Sequence, residues 1–162
     1  MNDSNSNNPD GNVIFSGTKE VAENLKFNEA GLQEWFGDSI SSAGKILKIA
    51  QFKGGQSNPT YKISTEKQQF VLRRKPPGIL LPSAHAVDRE YKVMTALQQT
   101  EVPVPKTYGL CEDEDVIGTP FFVMDFLDGN IYWDLLLGDK SPAERSDIYA
   151  SKNNVIAQLH MV

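Results

Sequence analysis

Two residues of this chain have the types and the setting to do chemistry together, Arg73 and Glu90. The stretch 69–75 (Gln-Phe-Val-Leu-Arg-Arg-Lys) reads as a β-strand that ends in three cations. Strand alternation puts Phe70 and Leu72 on one face and Val71 and Arg73 on the other. A cation that shares a face with a small apolar residue needs a negative partner. Glu90 is the candidate. The stretch 83–99 reads as a helix, with Ser83 as its N-cap after Pro82. Val87, Met94 and Leu97 form a stripe at helical spacing, with Tyr91 beside it, and Glu90 lies on that stripe at i+3 from Val87 and i−4 from Met94. A carboxylate facing a core is costly unless it is paired and hydrogen-bonded, and the guanidinium of Arg73 is a forked donor that can pair it. Such a pair is either a structural tie between strand and helix or a cation held in place for a ligand.

The elements that must position the pair follow from the rest of the chain. Residues 1–12 are polar, carry no hydrophobic period and are expected to be disordered. Val13, Ile14 and Phe15 suggest a short docking segment. A helix is expected from Asn28, which can cap it, with Leu32, Trp35 and Phe36 as its apolar face and Gly37 as its end. Residues 45–53 read as a first strand, 60–65 as a second and 69–75 as a third. The loop Gly54-Gly55-Gln56-Ser57-Asn58-Pro59 turns the first strand into the second, giving antiparallel pairs. Pro76-Pro77-Gly78 stops the third strand. Val102-Pro103-Val104-Pro105 is extended, 106–111 is a fourth strand and 120–126 a strongly apolar fifth. The acidic run 112–115 reads as a solvated turn, because the glycine and the spacing of a calcium loop are missing. A last helix starts at Ser141, with Pro142 in the first position and Glu144 completing a capping box. Ile148, Val155, Ile156, Leu159 and Val162 mark its apolar face, still running at the last residue.

Composition narrows the classes. With 162 residues there is room for one domain, or for one small domain and part of another. The chain is 40% hydrophobic and 23% charged, as a globular protein is, and its net charge of −5 argues against a general nucleic-acid binder. Cys111 is the single cysteine, so no intramolecular disulfide and no cysteine-based metal site can form. The sequence has no signal peptide and no apolar run of about 18 residues, which makes a cytoplasmic protein without a membrane segment the default expectation.

The order strand, glycine loop, strand, strand with a cation, helix with a glutamate, strand, strand, break, helix is that of a kinase small lobe. Five stretches carry a closer likeness: 52–61 (Phe-Lys-Gly-Gly-Gln-Ser-Asn-Pro-Thr-Tyr), 70–78 (Phe-Val-Leu-Arg-Arg-Lys-Pro-Pro-Gly), 80–85 (Leu-Leu-Pro-Ser-Ala-His), 88–91 (Asp-Arg-Glu-Tyr) and 121–129 (Phe-Phe-Val-Met-Asp-Phe-Leu-Asp-Gly). Through them the chain, over residues 28–162, resembles the aminoglycoside-phosphotransferase and choline-kinase-like family, most of all the phosphotransferase domains associated with acyl-CoA dehydrogenases. The resemblance implies an α+β fold: a protein-kinase-like small lobe, with a five-stranded antiparallel sheet and a Glu-bearing helix over residues 13–126. Residues 127–162 would then be the hinge and the start of an incomplete large lobe. It implies ATP as the nucleotide. Arg73 stands where the family has its phosphate-contacting lysine, and Glu90 where it has the helix partner of that lysine. Val71 would cover the adenine ring. Gly54, Gly55, Gln56, Ser57 and Asn58 would bend over the triphosphate with backbone N–H donors. Met124, Asp125 and Phe126 would form the hinge that hydrogen-bonds adenine. His160 and His85 read as packing, capping or surface residues. The loop lacks the G-x-G-x-x-G spacing of protein kinases, and arginine replaces lysine on the third strand, which leaves the depth of the nucleotide open.

The family's His-Gly-Asp…Asn loop and its later Asp, which hold magnesium and the acceptor hydroxyl, are not among these residues. No catalytic or metal-ligating residue is therefore expected here. Magnesium would come only with the missing large lobe, and the small hydroxylated substrate, a hydroxyacyl-CoA being one candidate, only with a full-length relative. Three readings follow: the lobe of a truncated ATP-dependent phosphotransferase; a non-catalytic module or half of a split kinase, with a partner protein on Val155, Ile156, Leu159 and Val162; or a structural α+β domain in which Arg73–Glu90 is an ordinary pair.

Overall fold

The structure is a computed structural model that describes residues 16–54, 57–78, 84–132 and 134–162. The tail 1–12, the 13–15 segment, Gly55, Gln56, and the 79–83 stretch with Ser83 lie outside the described residues.

Six antiparallel strands form one sheet in the order β1-β2-β3-β4-β6-β5. They are β1 (Thr18–Lys19), β2 (Ile46–Phe52), β3 (Thr60–Thr65), β4 (Gln69–Arg74), β5 (Thr107–Cys111) and β6 (Phe121–Asp125). Five match the expected strands, and β1 is a correction. It pairs with the end of β2, Thr18 against Phe52 and Lys19 against Gln51. Two exposed residues carry no readable period, so sequence pattern could not find them.

The period of two decides where the core sits. Tyr61, Ile63, Phe70, Leu72, Phe121 and Val123, all fully buried, lie on one face of the sheet. Across that face runs α1 (Glu29–Ser39), which buries Leu32 and Phe36. Phe36 meets Phe70 edge-on at 5.4 Å, and Trp35 meets Phe121 at 4.9 Å. Asn28 caps α1 as expected, its Oδ1 accepting the Gly31 N–H at 3.0 Å. Gly37 does not end the helix, which runs on to Ser39 and closes when the Ile40 N–H reaches the Phe36 carbonyl at 2.8 Å. Two α1 glycines therefore predict opposite outcomes. A Cβ at Gly37 meets nothing within 4 Å, so Gly37→Ala should stabilise the fold by about 0.5–1 kcal/mol, raising Tm by roughly 1–4 °C. A Cβ at Gly31 would stand 2.5 Å from the Val116 carbonyl oxygen, so Gly31→Ala should destabilise, by about 1–3 kcal/mol. Thermal unfolding of the two variants checks both signs.

The opposite face is only partly covered, by α2 (Val87–Leu97). Tyr91 lies 6.0 Å from Phe122 by ring centroids, and Thr95 and Gln98 both reach Thr107 Oγ1, at 2.8 and 2.7 Å. The helix begins four residues later than expected because His85 takes a left-handed backbone conformation, φ 57°, which an α-helix cannot include. The acidic run is not a turn throughout: Asp113 caps a one-turn helix α3 (Glu114–Ile117), its Oδ1 accepting the Asp115 N–H at 2.9 Å. The last helix, α4 (Pro142–Leu159), has the expected capping box, with Ser141 Oγ accepting from Glu144 N at 3.3 Å and Glu144 Oε2 from Ser141 N at 2.8 Å. His160 occupies its C-cap position. Of the helix's expected apolar face, Ile148 and Val155 are half-buried. No residue of α4 is buried, and Ile156, Leu159 and Val162 are exposed. No helix among the described residues is long and apolar enough to cross a membrane.

Candidate functional site

The partly open face of the sheet collects the residues that alternation singles out. Register places Thr60 opposite Arg73 and Lys62 opposite Val71 across β3 and β4, and Arg73 opposite Phe122 and Val71 opposite Met124 across β4 and β6. Cross-strand partners share a face, so Arg73, Val71 and Met124 stand together with Thr60 and Lys62. Alternation along β3 carried the signal for the last two, though neither was expected as a site residue.

Arg73 and Glu90 are joined. Arg73 Nε lies 2.8 Å from Glu90 Oε2, and Nη2 donates to Oε1 at 3.2 Å. One contact is a hydrogen bond, through Nη2, and the other is an ion-pair approach at Nε without hydrogen-bond geometry. Nη1 reaches Thr60 Oγ1 at 3.5 Å. The two side chains keep 26% and 32% of their surface exposed, so the pair sits at the wall of a cleft and not inside the core. Glu90 also takes a bond from the glycine loop, Asn58 Nδ2 donating to Oε1 at 2.8 Å. Asn58 is buried, and its Oδ1 lies 3.0 Å from His85 Nδ1. His85 thus packs into the loop as a hydrogen-bonding residue, a role that nothing in its local sequence signals. An open groove of about 700 Å³ runs between the loop and α2, lined by Ser57, Asn58, His85, Arg89, Glu90 and Met94 among others.

A second cavity, about 510 Å³, lies where β2, β4 and the segment after β6 meet. Phe52, Val71 and Phe126 give it an apolar wall, and Leu127, Asp128, Gly129, Asn130 and Ile131 form its floor. Ser16 and Gly17 close its edge, and the Gly17 carbonyl accepts the Lys53 N–H at 3.1 Å. Phe52 and Phe126 lie nearly parallel with centroids 6.3 Å apart, and the Lys62 ammonium sits 3.8 Å from the centre of the Phe126 ring. The Asp125 side chain turns to the core face, where Tyr108 donates to its Oδ1 at 2.6 Å. That carboxylate and burial push the Tyr108 hydroxyl pKa up, burial contributing most. The backbone N–H groups of Asp125 and Phe126 donate to the Lys106 and Gln69 carbonyls, at 2.9 and 3.4 Å.

The predicted site residues therefore fall into two neighbouring clusters. Val71 and Phe126 line the apolar cavity, and Met124 stands opposite Val71 on the same sheet face. Arg73, Glu90, Ser57 and Asn58 belong to the polar wall beside it, at the loop that opens with Gly54. The Asp125 side chain faces the core, away from both. Among the described residues no group of three or more His, Cys, Asp or Glu comes together as a metal site.

The family model described as "Phosphotransferase enzyme family" matches residues 48–162. Acyl-CoA dehydrogenase family member 11 of Homo sapiens is 44% identical over 152 residues, which is 90% of this chain and 20% of that protein. Acyl-CoA dehydrogenase family member 10 of Mus musculus is 48% identical over 116 residues, 72% of this chain and 11% of that protein. A crystal structure from Ralstonia eutropha, assigned to the aminoglycoside phosphotransferases, superposes with a TM-score of 0.72 at 45% identity and covers 85% of this chain and 39% of its own. The chain spans about a fifth of the length of the curated acyl-CoA dehydrogenase family member 11 proteins it matches. The fold is the expected α+β, kinase-like small lobe, with one strand more than expected. With the family model matching most of its length, the chain belongs to the phosphotransferase enzyme family.

Proposed function

We propose that this chain is the nucleotide-binding lobe of an ATP-dependent small-molecule phosphotransferase, one that moves the γ-phosphate to a hydroxyl. The observation that carries the reading is the Arg73–Glu90 pair, on the same sheet face as Val71 and next to the end of the glycine loop. A fixed guanidinium beside an apolar slot is what a ligand with a flat ring and an anionic tail requires. Phe52, Val71 and Phe126 suit the ring. Since the Asp125 and Phe126 N–H groups are already committed to the sheet, a base that accepts a hydrogen bond from the hinge meets the next N–H at Leu127, which lines the cavity. Magnesium would neutralise the phosphate charge. The described residues assemble no site for it.

Titration of the chain with a non-hydrolysable ATP analogue tests the reading. Expected are amide shift changes at Val71, Phe126 and Leu127 and at Arg73 and Glu90. Changes confined to other surfaces, or none at millimolar analogue, overturn it. With ATP, magnesium, small alcohols and hydroxyacyl thioesters, the isolated chain should show no turnover above a Glu90→Ala control, since it contains no His-Gly-Asp run.

One observation favours a second reading beside the first. Leu135, Leu136, Ile156, Leu159, Met161 and Val162 stand 44–80% exposed around and along α4. This apolar surface suits a protein partner, either a large lobe of the same fold or another chain. Sedimentation analysis of the chain, alone and with a separately expressed large lobe of a relative, distinguishes a partnered module from an isolated domain.

A further inference from the structure

We infer that Asn58 is a positioning residue: with His85 it forms a strut that fixes Glu90, and so Arg73, relative to the glycine loop. The inference rests on the nucleotide reading above for its function, though not for its geometry. Sequence position puts Asn58 in the loop expected to bend over the phosphates. Its side chain does not serve that loop's open side. It is 4% exposed and spans from helix to turn, donating from Nδ2 to Glu90 Oε1 at 2.8 Å and meeting His85 Nδ1 at 3.0 Å through Oδ1.

The chemistry assigns each proton. A carboxylate accepts and does not donate, so the nitrogen of the Asn58 amide must face Glu90. Its oxygen then faces His85 and can accept, so His85 must carry hydrogen on Nδ1, in its neutral as well as its cationic form. The row of bonds reads His85 to Asn58 to Glu90, with Arg73 donating from the far side at 3.2 Å. The backbone agrees. His85 is held at φ 57°, a conformation costly for a residue with a side chain, and its carbonyl accepts the Val87 N–H at 2.9 Å as α2 begins. Below the loop, Asn58 is anchored again, its own carbonyl accepting from Thr60 Oγ1 at 3.0 Å. Loop, helix start and ion pair are thus joined by one buried amide, and moving any of them strains the other two.

The test has a spectroscopic arm and a binding arm, both on the full chain. Long-range proton–nitrogen NMR correlations of the His85 ring should show the Nδ1–H tautomer, and Asn58→Ala should abolish that preference. An Nε2–H tautomer in the unsubstituted chain, or a tautomer indifferent to Asn58→Ala, overturns the strut. Asn58→Ala changes no charge, so it should lower affinity for an ATP analogue about fivefold while leaving adenosine within about twofold. His85→Asn, whose amide nitrogen can replace Nδ1, should keep the affinity, and His85→Gln, whose amide reaches toward the other ring position, should lose it. Equal effects on both ligands, or no effect, overturn the positioning role. If the unsubstituted chain binds neither ligand, the nucleotide reading fails, and the tautomer still decides the strut.

Discussion

Arg73→Met is expected to lower the affinity of the chain for an ATP analogue by about tenfold to a hundredfold while leaving adenosine binding within about twofold, the free-energy range of a charge-assisted hydrogen bond. Methionine keeps much of the arginine stem, so packing against the sheet is largely preserved. Two losses then act in the same direction. The forked cation is gone, and Glu90, formerly paired at 2.8 Å, is left as a bare negative charge on the wall that should receive the phosphates. Because the second loss is a repulsion, it can be removed separately. Arg73→Met with Glu90→Gln should recover part of the affinity, about threefold or more, if the unpaired carboxylate carries a share of the cost. Stability should move far less than binding. Both side chains are about a quarter to a third exposed, and exposed pairs contribute at most about 1 kcal/mol. Isothermal titration with the analogue and with adenosine, beside thermal unfolding, separates the two. If ATP and adenosine weaken together, the pair is a structural tie, and the nucleotide reading loses its main support.

What was legible in the sequence was what repeats with a period. Alternation along β4 put Arg73 with Val71, helical spacing put Glu90 on the inward stripe of α2, and the two side chains meet. The capping box at Ser141 and the cap at Asn28 were legible because side-chain oxygens answer backbone N–H groups at fixed offsets. The features that escaped have no period. β1 is two residues long. The left-handed His85, which delays α2, bonds through its ring to Asn58, 27 residues away. Asn58 is a polar residue in a polar loop, and only the fold shows that its amide is buried. The sequence also marked Met124, Asp125 and Phe126 as the expected hinge. It could not tell that the N–H groups of Asp125 and Phe126 were already engaged by the neighbouring strands.

The neighbour of Arg73 should behave in the opposite way, and the contrast tests the alternation itself. Arg74 points to the core face, with 2% of its surface exposed, and its Nε and Nη1 are buried without hydrogen-bond partners among the described residues. Its Cζ stands 5.3 Å from the centre of the Phe27 ring. Burial pulls its pKa below the ordinary arginine value, with the nearby Tyr61 acting weakly the other way. A guanidinium withdrawn from water without a carboxylate costs several kcal/mol, and a desolvated cation–π contact returns only about 2 kcal/mol. Arg74→Met should therefore stabilise the fold by about 1–2 kcal/mol, raising Tm by roughly 2–8 °C. Arg74→Glu sets a bare carboxylate in the same place and should cost about 3–5 kcal/mol, a large part of the stability of a typical domain. Neither outcome depends on a ligand. Arg74→Met should leave affinity for the ATP analogue within about twofold, because β4 turns its side chain away from the cleft that Arg73 faces. Urea and thermal unfolding measure the first effect, and titration the second. A marked loss of stability in Arg74→Met would mean that the buried guanidinium is compensated in the fold after all, and a loss of nucleotide affinity comparable to that of Arg73→Met would mean that the two faces of β4 do not separate structure from binding.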